Sequence, residues 1–351
     1  MERILITGAN GFIGSHLIDF LVNKNFNIYA LDLPGSQFKN LGQYVIENYN
    51  FSKDKRLNIF GKDIQIPTHK NNLKIIECDL KNKELLEKII LKFKPEYIFH
   101  LGAQSLILPS WEDPTNTIEA NVIGTINIFE PIKKFKIKTR VILPGTSTEF
   151  GTSASIERPL KETDPLLALH PYGISKIAAE LLGRQYYINF GIECVIVRFF
   201  NQTGPRKSSG AAADFTKKVA QIDLGLVDPI IEVGNLDSYR DFTGIKDTIQ
   251  AVWLAATKGK PGEIYHVCSS KKLYIRKLLE IALSFSSKKI DVIEIASSKV
   301  RKTDEDVIIG DNSKIKNELG FRITQSIENV LNEMYDYWTE FYRREKIKNI
   351  N

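Results

Sequence analysis

Between residues 4 and 21 the chain reads as strand, tight turn and helix in direct succession, and few folds accommodate that order with the residues found here. Ile4, Leu5 and Ile6 form an apolar run, Gly8, Gly11 and Gly14 follow in a G-x-x-G-x-x-G spacing, and Leu17, Ile18 and Leu21 continue at helical period. Gly8 allows a sharp turn, Gly11 a close approach of backbone to a pyrophosphate, and Gly14 close packing of helix on strand. The amides around Asn10, Phe12 and Ile13 then face an anion at a positive helix end. The segment predicts a dinucleotide site.

The next segments keep the same alternation. Residues 26 to 32 read as a second strand ending in Asp32, placed to bond both ribose hydroxyls of an adenosine and to repel a 2'-phosphate. Leu33, Pro34 and Gly35 follow with no nearby arginine, which favours NAD over NADP. Residues 36 to 72 are polar and poorly periodic, an excursion rather than core. A third strand over 73 to 80 brings Asp79 and Leu80 to the adenine edge, a helix over 83 to 93 follows, and a strand at 97 to 101 passes Leu101 and Ala103 beside the cofactor. His100 reads as a core histidine. A long helix over 116 to 134 and a strand over 140 to 143 complete the pattern of a parallel sheet covered on both faces, with ligands at the strands' carboxyl ends.

A length of 351 residues suggests one large domain or two interlocked ones. The net charge of +6 is scattered along the chain and reads as a solvated surface, not a nucleic-acid face. Cys78, Cys194 and Cys268 are few and far apart, which fits a reducing cytoplasm and offers no metal-ligand spacing. No apolar run approaches the ~18 residues of a membrane span. A soluble cytoplasmic protein without metal is expected.

The strand at 140 to 143 leads into Thr146, Ser147 and Thr148, and Tyr172 and Lys176 follow four residues apart on one helical face. A phenol of pKa ~10 must lose about 3 units, or about 4 kcal/mol, to act as a base near neutrality. An ammonium ~4 Å away at an effective dielectric of ~20 supplies roughly that much. Tyr172 is the expected general acid/base, Thr146 its partner on the sugar oxygen, and Lys176 the holder of the nicotinamide ribose.

The set from Thr7 to Gly14, Asp32, Asp79, His100 to Ala103, Asn121 to Thr125, Thr146, Tyr172 and Lys176 resembles the extended short-chain dehydrogenase/reductase family of nucleotide-sugar epimerases, dehydratases and reductases. The resemblance implies a Rossmann-type doubly wound parallel sheet with a smaller C-terminal α/β substrate domain. It divides the chain into residues 1–200 and 241–268 for NAD, and 201–240 and 269–351 for the sugar nucleotide. Stretches 198–206, 234–243 and 301–312 are similar to the branch of GDP-mannose 4,6-dehydratase and GDP-4-keto-6-deoxymannose reductase. By that resemblance Ser105, Thr148, Asn201, Arg206, Lys217, Arg240 and Arg301 would contact a GDP-sugar, and apolar helices near 120–134 and 174–190 would form a homodimer or a dimer of dimers, although the residues alone suit core helices equally well.

Dehydratases of this kind carry Glu two residues after the catalytic Thr. Here Thr148 holds that position and Glu149 follows one residue later, turned to the opposite face if the segment is extended. Simple redox at carbon 4 is therefore expected, by a 4-keto reductase or a 4-dehydrogenase acting on a GDP-mannose-like hexose or heptose. A 4,6-dehydratase or 4-epimerase, and a non-catalytic sensor on the same fold, are the alternatives. Phe150 stands where a tyrosine is usual.

Overall fold

The computed structural model describes residues 1–36, 38–45, 65–66, 68–155, 158–294 and 307–348. Its first unit is built on β1 (Glu2–Thr7), β2 (Phe26–Asp32), β3 (Gln65–Ile66), β4 (Leu73–Glu77), β5 (Tyr97–His100), β6 (Arg140–Thr146), β7 (Glu193–Phe199) and β12 (Ile264–Val267). These eight strands form one sheet in the order β3-β4-β2-β1-β5-β6-β7-β12. All neighbours are parallel except β3 on β4, an antiparallel edge pair. From β1 the chain winds outward through β2 and β4, then returns to β5 and winds the other way. The switch point therefore lies between β1 and β5, where the glycine turn ends β1.

Side-chain alternation explains why both faces need cover. Ile4, Ile6, Ile28, Ala30, Val195 and Val197 point into one core, whereas Leu5, Leu31, Cys194 and Ile196 point into the other. The first core is closed by α1 (Phe12–Leu21) and α8 (Ile245–Lys258), the second by α2 (Lys83–Phe93), α5 (Gly124–Phe135) and α6 (Pro171–Phe190). Cys78, Cys194 and Cys268 are all buried free thiols.

The second unit packs α7 (Ala211–Asp223), α9 (Ile275–Leu283) and α11 (Ile327–Lys348) around β9 (Ile230–Val233). Short strands β8 (Asn201–Thr203) and β11 (Phe242–Gly244) pair in parallel between the units.

Three local expectations are altered. Phe38 and Leu41, in the supposed excursion, are buried against α1 as part of the sheet's core. The segment from Ser313 to Leu319, α10, also packs its Ile315 and Leu319 on that core instead of joining the smaller unit. The long helix near 116–134 is broken: α4 (Pro114–Ile118) passes through a π-helical turn at Glu119–Ile123 before α5 begins. That turn aims Asn121 inward. Its Oδ1 accepts from the Gln104 amide at 2.8 Å, and its Nδ2 donates to the Gln104 carbonyl and the Ser175 hydroxyl, each at 2.9 Å.

Candidate active site

The glycine turn is held by its neighbours. Gly8 has φ of 63°, and a Cβ there would lie 2.7 Å from the Gly102 backbone after β5. A Cβ on Gly14 would lie 2.3 Å from the Gly8 carbonyl oxygen, so α1 sits on the turn only because that atom is missing. Gly11 caps α1 with no side chain on the first-turn amides, leaving a backbone cradle suited to a pyrophosphate. Leu80 packs against Gly102 and Gly124 at the crevice, and Leu101 and Ala103 flank Gly102. Asp79 accepts from the Lys81 amide at 2.9 Å.

Asp32 ends β2 beside the turn. Its Oδ2 accepts from the Asn10 amide at 2.6 Å and its Oδ1 from the Leu33 amide at 2.8 Å. Burial raises its pKa, and these two amides oppose that rise. A second carboxylate stands close by: Glu77 accepts from the Gly35 amide at 2.9 Å.

Thr146 ends β6 and caps a 3-10 turn at Ser147–Glu149. Its Oγ1 is 3.3 Å from the Thr148 Oγ1 and also bonds the Tyr172 phenol. Tyr172 opens α6, where the His170 Nδ1 accepts from the Gly173 amide at 2.9 Å and the His170 ring stacks on Tyr172 at 6.0 Å. Burial pushes the phenol up to about 12, the Thr146 bond lowers it, and the Glu149 charge adds to the rise. Lys176 lies one turn on and is buried; desolvation lowers its pKa, while Glu149 and Glu180 pull it back up.

Glu149 is fully buried, with its carboxylate turned to the Thr146 backbone and to Arg198. Its Oε1 accepts from the Thr146 amide at 2.8 Å, and its Oε2 is 3.2 Å from Arg198 Nε. The segment is a 3-10 turn rather than extended, so the inward aim comes from the capping box and not from strand alternation. Phe150 is buried too, edge-on to His266 at 5.5 Å, with the Arg198 guanidinium 5.3 Å from its ring centre.

His100 is a core residue, with Nδ1 3.0 Å from the Thr7 Oγ1 and Nε2 3.2 Å from the Thr125 Oγ1. Burial, assisted by the Lys176 charge, drives its pKa down to about 3. The folded state thus binds fewer protons than the unfolded one between about pH 3 and 6.5, and stability is lost as pH falls through that window. At pH 5 the penalty is about 2 kcal/mol. Replacing His100 by Gln should therefore flatten the fall in melting temperature between pH 6 and 4; equal slopes for the two proteins would contradict it.

Beyond Thr146, Tyr172 and Lys176 lies a cavity of about 1320 Å³, lined by Ser105, Phe200, Asn201 and Arg240 together with parts of α7 and β9. Its size suits a ligand larger than a simple sugar. Thr146, Tyr172 and Lys176 are outside its lining, but the Gln104–Asn121–Ser175 bonds tie its Ser105 rim to α6.

Three expected sugar-nucleotide contacts, Thr148, Arg206 and Lys217, are not in this lining. Arg206 lies against α1, its Nη2 2.7 Å from Oδ2 of the half-buried Asp19, which draws it away from the cavity. Lys217 donates to the Ser208 carbonyl at 2.5 Å and covers the Trp338 ring. Their neighbours Lys207 and Lys218 line the cavity instead. Lys207 was missed by sequence reasoning. It lies 5.2 Å from the Phe12 ring centre, and desolvation lowers its pKa. Arg301 falls outside the described residues. Asp241, next to Arg240, was also missed; it is fully buried and accepts from the Ser269 and Ser270 amides at 2.7 and 2.9 Å, fixing the loop after β12.

Among the described residues no helix is long and apolar enough to cross a membrane, and no group of three or more His, Cys, Asp or Glu could hold a metal ion.

Residues 5–334 match the family model described as GDP-mannose 4,6 dehydratase. The chain is 26% identical to a GDP-6-deoxy-D-mannose reductase of Pseudomonas aeruginosa, covering 98% of this chain and 99% of the relative. It is also 26% identical to a GDP-mannose 4,6-dehydratase of Yersinia enterocolitica, covering 95% and 93%. The solved structure of RMD from Pseudomonas aeruginosa complexed with NADPH superposes with a TM-score of 0.78 at 23% identity, over 97% of this chain and all of that one. The doubly wound fold is common to both.

Proposed function

The chain belongs to the GDP-mannose 4,6 dehydratase family, and from that premise we propose that it performs redox chemistry alone, reducing a keto group at carbon 4 of a GDP-linked hexose or heptose. The observation that carries this reading is the burial of Glu149 against the Thr146 backbone and Arg198 with Thr148 at the position where an acid would serve carbon 6. Expelling a hydroxyl from carbon 6 needs a proton donor there, and Thr148 is a poor acid.

A bound reduced nicotinamide would supply the hydride. Tyr172, protonated near neutrality, would donate the proton to the carbon 4 oxygen, and Thr146 would orient that oxygen through its own hydroxyl. Lys176 would hold the ribose and steady the phenolate left after proton transfer. The same groups run 4-dehydrogenation in reverse. Arg240, Asn201, Lys207 and Lys218 supply the cationic and polar lining that a nucleoside diphosphate requires.

Incubation with GDP- and UDP-sugars and their 4-keto derivatives, followed by cofactor absorbance and product mass, tests it. A gain of two hydrogens on a 4-keto GDP-sugar is expected. Loss of water from GDP-mannose would sink the reading in favour of 4,6-dehydration, the activity named for several relatives.

We infer NAD as the preferred cofactor, because Asp32 and Glu77 put two carboxylates where a 2'-phosphate would come. Asp32→Ala should raise KM for NADH at least about tenfold and lower that for NADPH, a change of about 1.4 kcal/mol in each direction. An unchanged NADH-to-NADPH ratio counts against the assignment. Ile174, Leu181 and Ile188 are exposed along one face of α6 and support the homodimer; light scattering during gel filtration decides it.

A further inference from the structure

Behind the catalytic turn lies a buried group of charges that the proposed chemistry does not use directly. We infer that Glu149 is a positioning residue: its carboxylate, held between the Thr146 amide and the Arg198 guanidinium, fixes the turn that presents Thr146 and balances the charge of Lys176 beneath Tyr172. This rests on the reading of Thr146, Tyr172 and Lys176 given above.

The geometry comes from four elements. Tyr172, Lys176 and Glu180 follow at four-residue intervals along α6, so they share one face. Arg198 on β7 donates to both Glu180 oxygens, from Nε at 2.8 Å and Nη2 at 2.5 Å. Glu149 on the 3-10 turn meets the same guanidinium at 3.2 Å, but its Oε2 receives no hydrogen bond, because the Nε–H is committed to Glu180. Gly145 on β6 makes room: a Cβ there would be 2.7 Å from Arg198 Cγ and 3.0 Å from Glu149 Oε1. One guanidinium cannot neutralise two carboxylates, so the second negative charge answers the Lys176 ammonium.

Among the described residues the Cys194 thiol also faces Glu180 and is kept protonated by its burial. Glu149 is faced by Arg198, Glu180, Lys176 and Tyr172. The neutral His100 from β5 faces Lys176, and Glu162 and His266 flank Arg198. With Glu149 and Glu180 ionised and Arg198 and Lys176 charged, this buried set is neutral. Removing the Glu149 charge leaves it positive, which drives a proton off Lys176 and also eases ionisation of Tyr172. Both changes disable a protonated Tyr172 held by a charged lysine, and both act toward high pH. Glu149 itself takes up a proton more readily than an exposed carboxyl because of its burial and of Glu180. Its charge therefore matters most on the alkaline side.

Glu149→Gln is the informative variant, because the amide oxygen can still accept from the Thr146 N–H while the charge is gone. Binding of reduced nicotinamide cofactor, read by its fluorescence from pH 6 to 9, needs no sugar. The variant should match the wild type near pH 6 and bind roughly fivefold more weakly by pH 9. The alkaline limb of keto-sugar reduction should move down by about one pH unit. A variant-to-wild-type affinity ratio constant across the range overturns the inference, since a merely structural defect would act at every pH. Glu149→Asp keeps the charge and shortens the reach to Thr146; it should lose turnover without the alkaline loss of affinity, and an alkaline loss equal to that of Glu149→Gln would also overturn it. Absence of any keto-sugar reduction by the wild type would remove the reductase reading, while the binding comparison would still decide the role of Glu149.

Discussion

Tyr172→Phe is expected to lower kcat by about a thousandfold while leaving cofactor affinity within about twofold. The ring can keep its stack on His170, and the Thr146 hydroxyl keeps its second neighbour at Thr148, so the site is not emptied of structure. What disappears is the phenolic proton beside Thr146 at the end of β6. With the phenol pushed up to about 12 by burial, the wild type carries that proton through the whole neutral range. Keto-sugar reduction should therefore be nearly flat between pH 6 and 8. Single-turnover measurement of cofactor oxidation separates the chemical step from product release; near-normal turnover by the variant would assign the proton to another group and revive the non-catalytic reading of the fold.

Gly14→Ala should be as damaging by a different route. The new methyl would sit 2.3 Å from the Gly8 carbonyl oxygen and 2.9 Å from the Ala9 Cα, both backbone atoms that no rotamer change can move aside. Either α1 lifts from the sheet, opening the core under Leu17 and Ile18, or the turn distorts and the amide cradle is lost. Overpacking of this kind costs about 1–3 kcal/mol or more. We expect at least a hundredfold loss of cofactor affinity, together with a melting temperature lower by several degrees. Calorimetric titration with NADH measures the first and thermal unfolding the second; wild-type affinity would mean that the turn tolerates more than its geometry allows.

The legible parts of this protein were those governed by periodicity and by short-range backbone demands. The strand, glycine turn and helix of residues 2–21 follow from apolar period and missing side chains, and Asp32 follows from its register behind them. The meeting of Thr146 with Tyr172 was legible because a strand end and a helix start are each fixed by local pattern. The inward aim of Glu149 was expected for the wrong reason, since a capping box inside a 3-10 turn leaves no periodic trace. Lys207 and Lys218 were passed over for Arg206 and Lys217 because cavity lining depends on which neighbour finds a better partner elsewhere, here Asp19 and the Ser208 carbonyl. Phe38 and Leu41 were obscured by polar neighbours, though two large apolar groups suffice to pin a loop onto a helix.

The inward-facing Asn121 has a mechanical corollary. By bonding Gln104 on both its backbone atoms and Ser175 at once, it rivets the loop after β5 to the helix carrying Tyr172 and Lys176. Any narrowing of the cleft around a sugar would carry the Ser105 rim and the Tyr172–Lys176 face of α6 together.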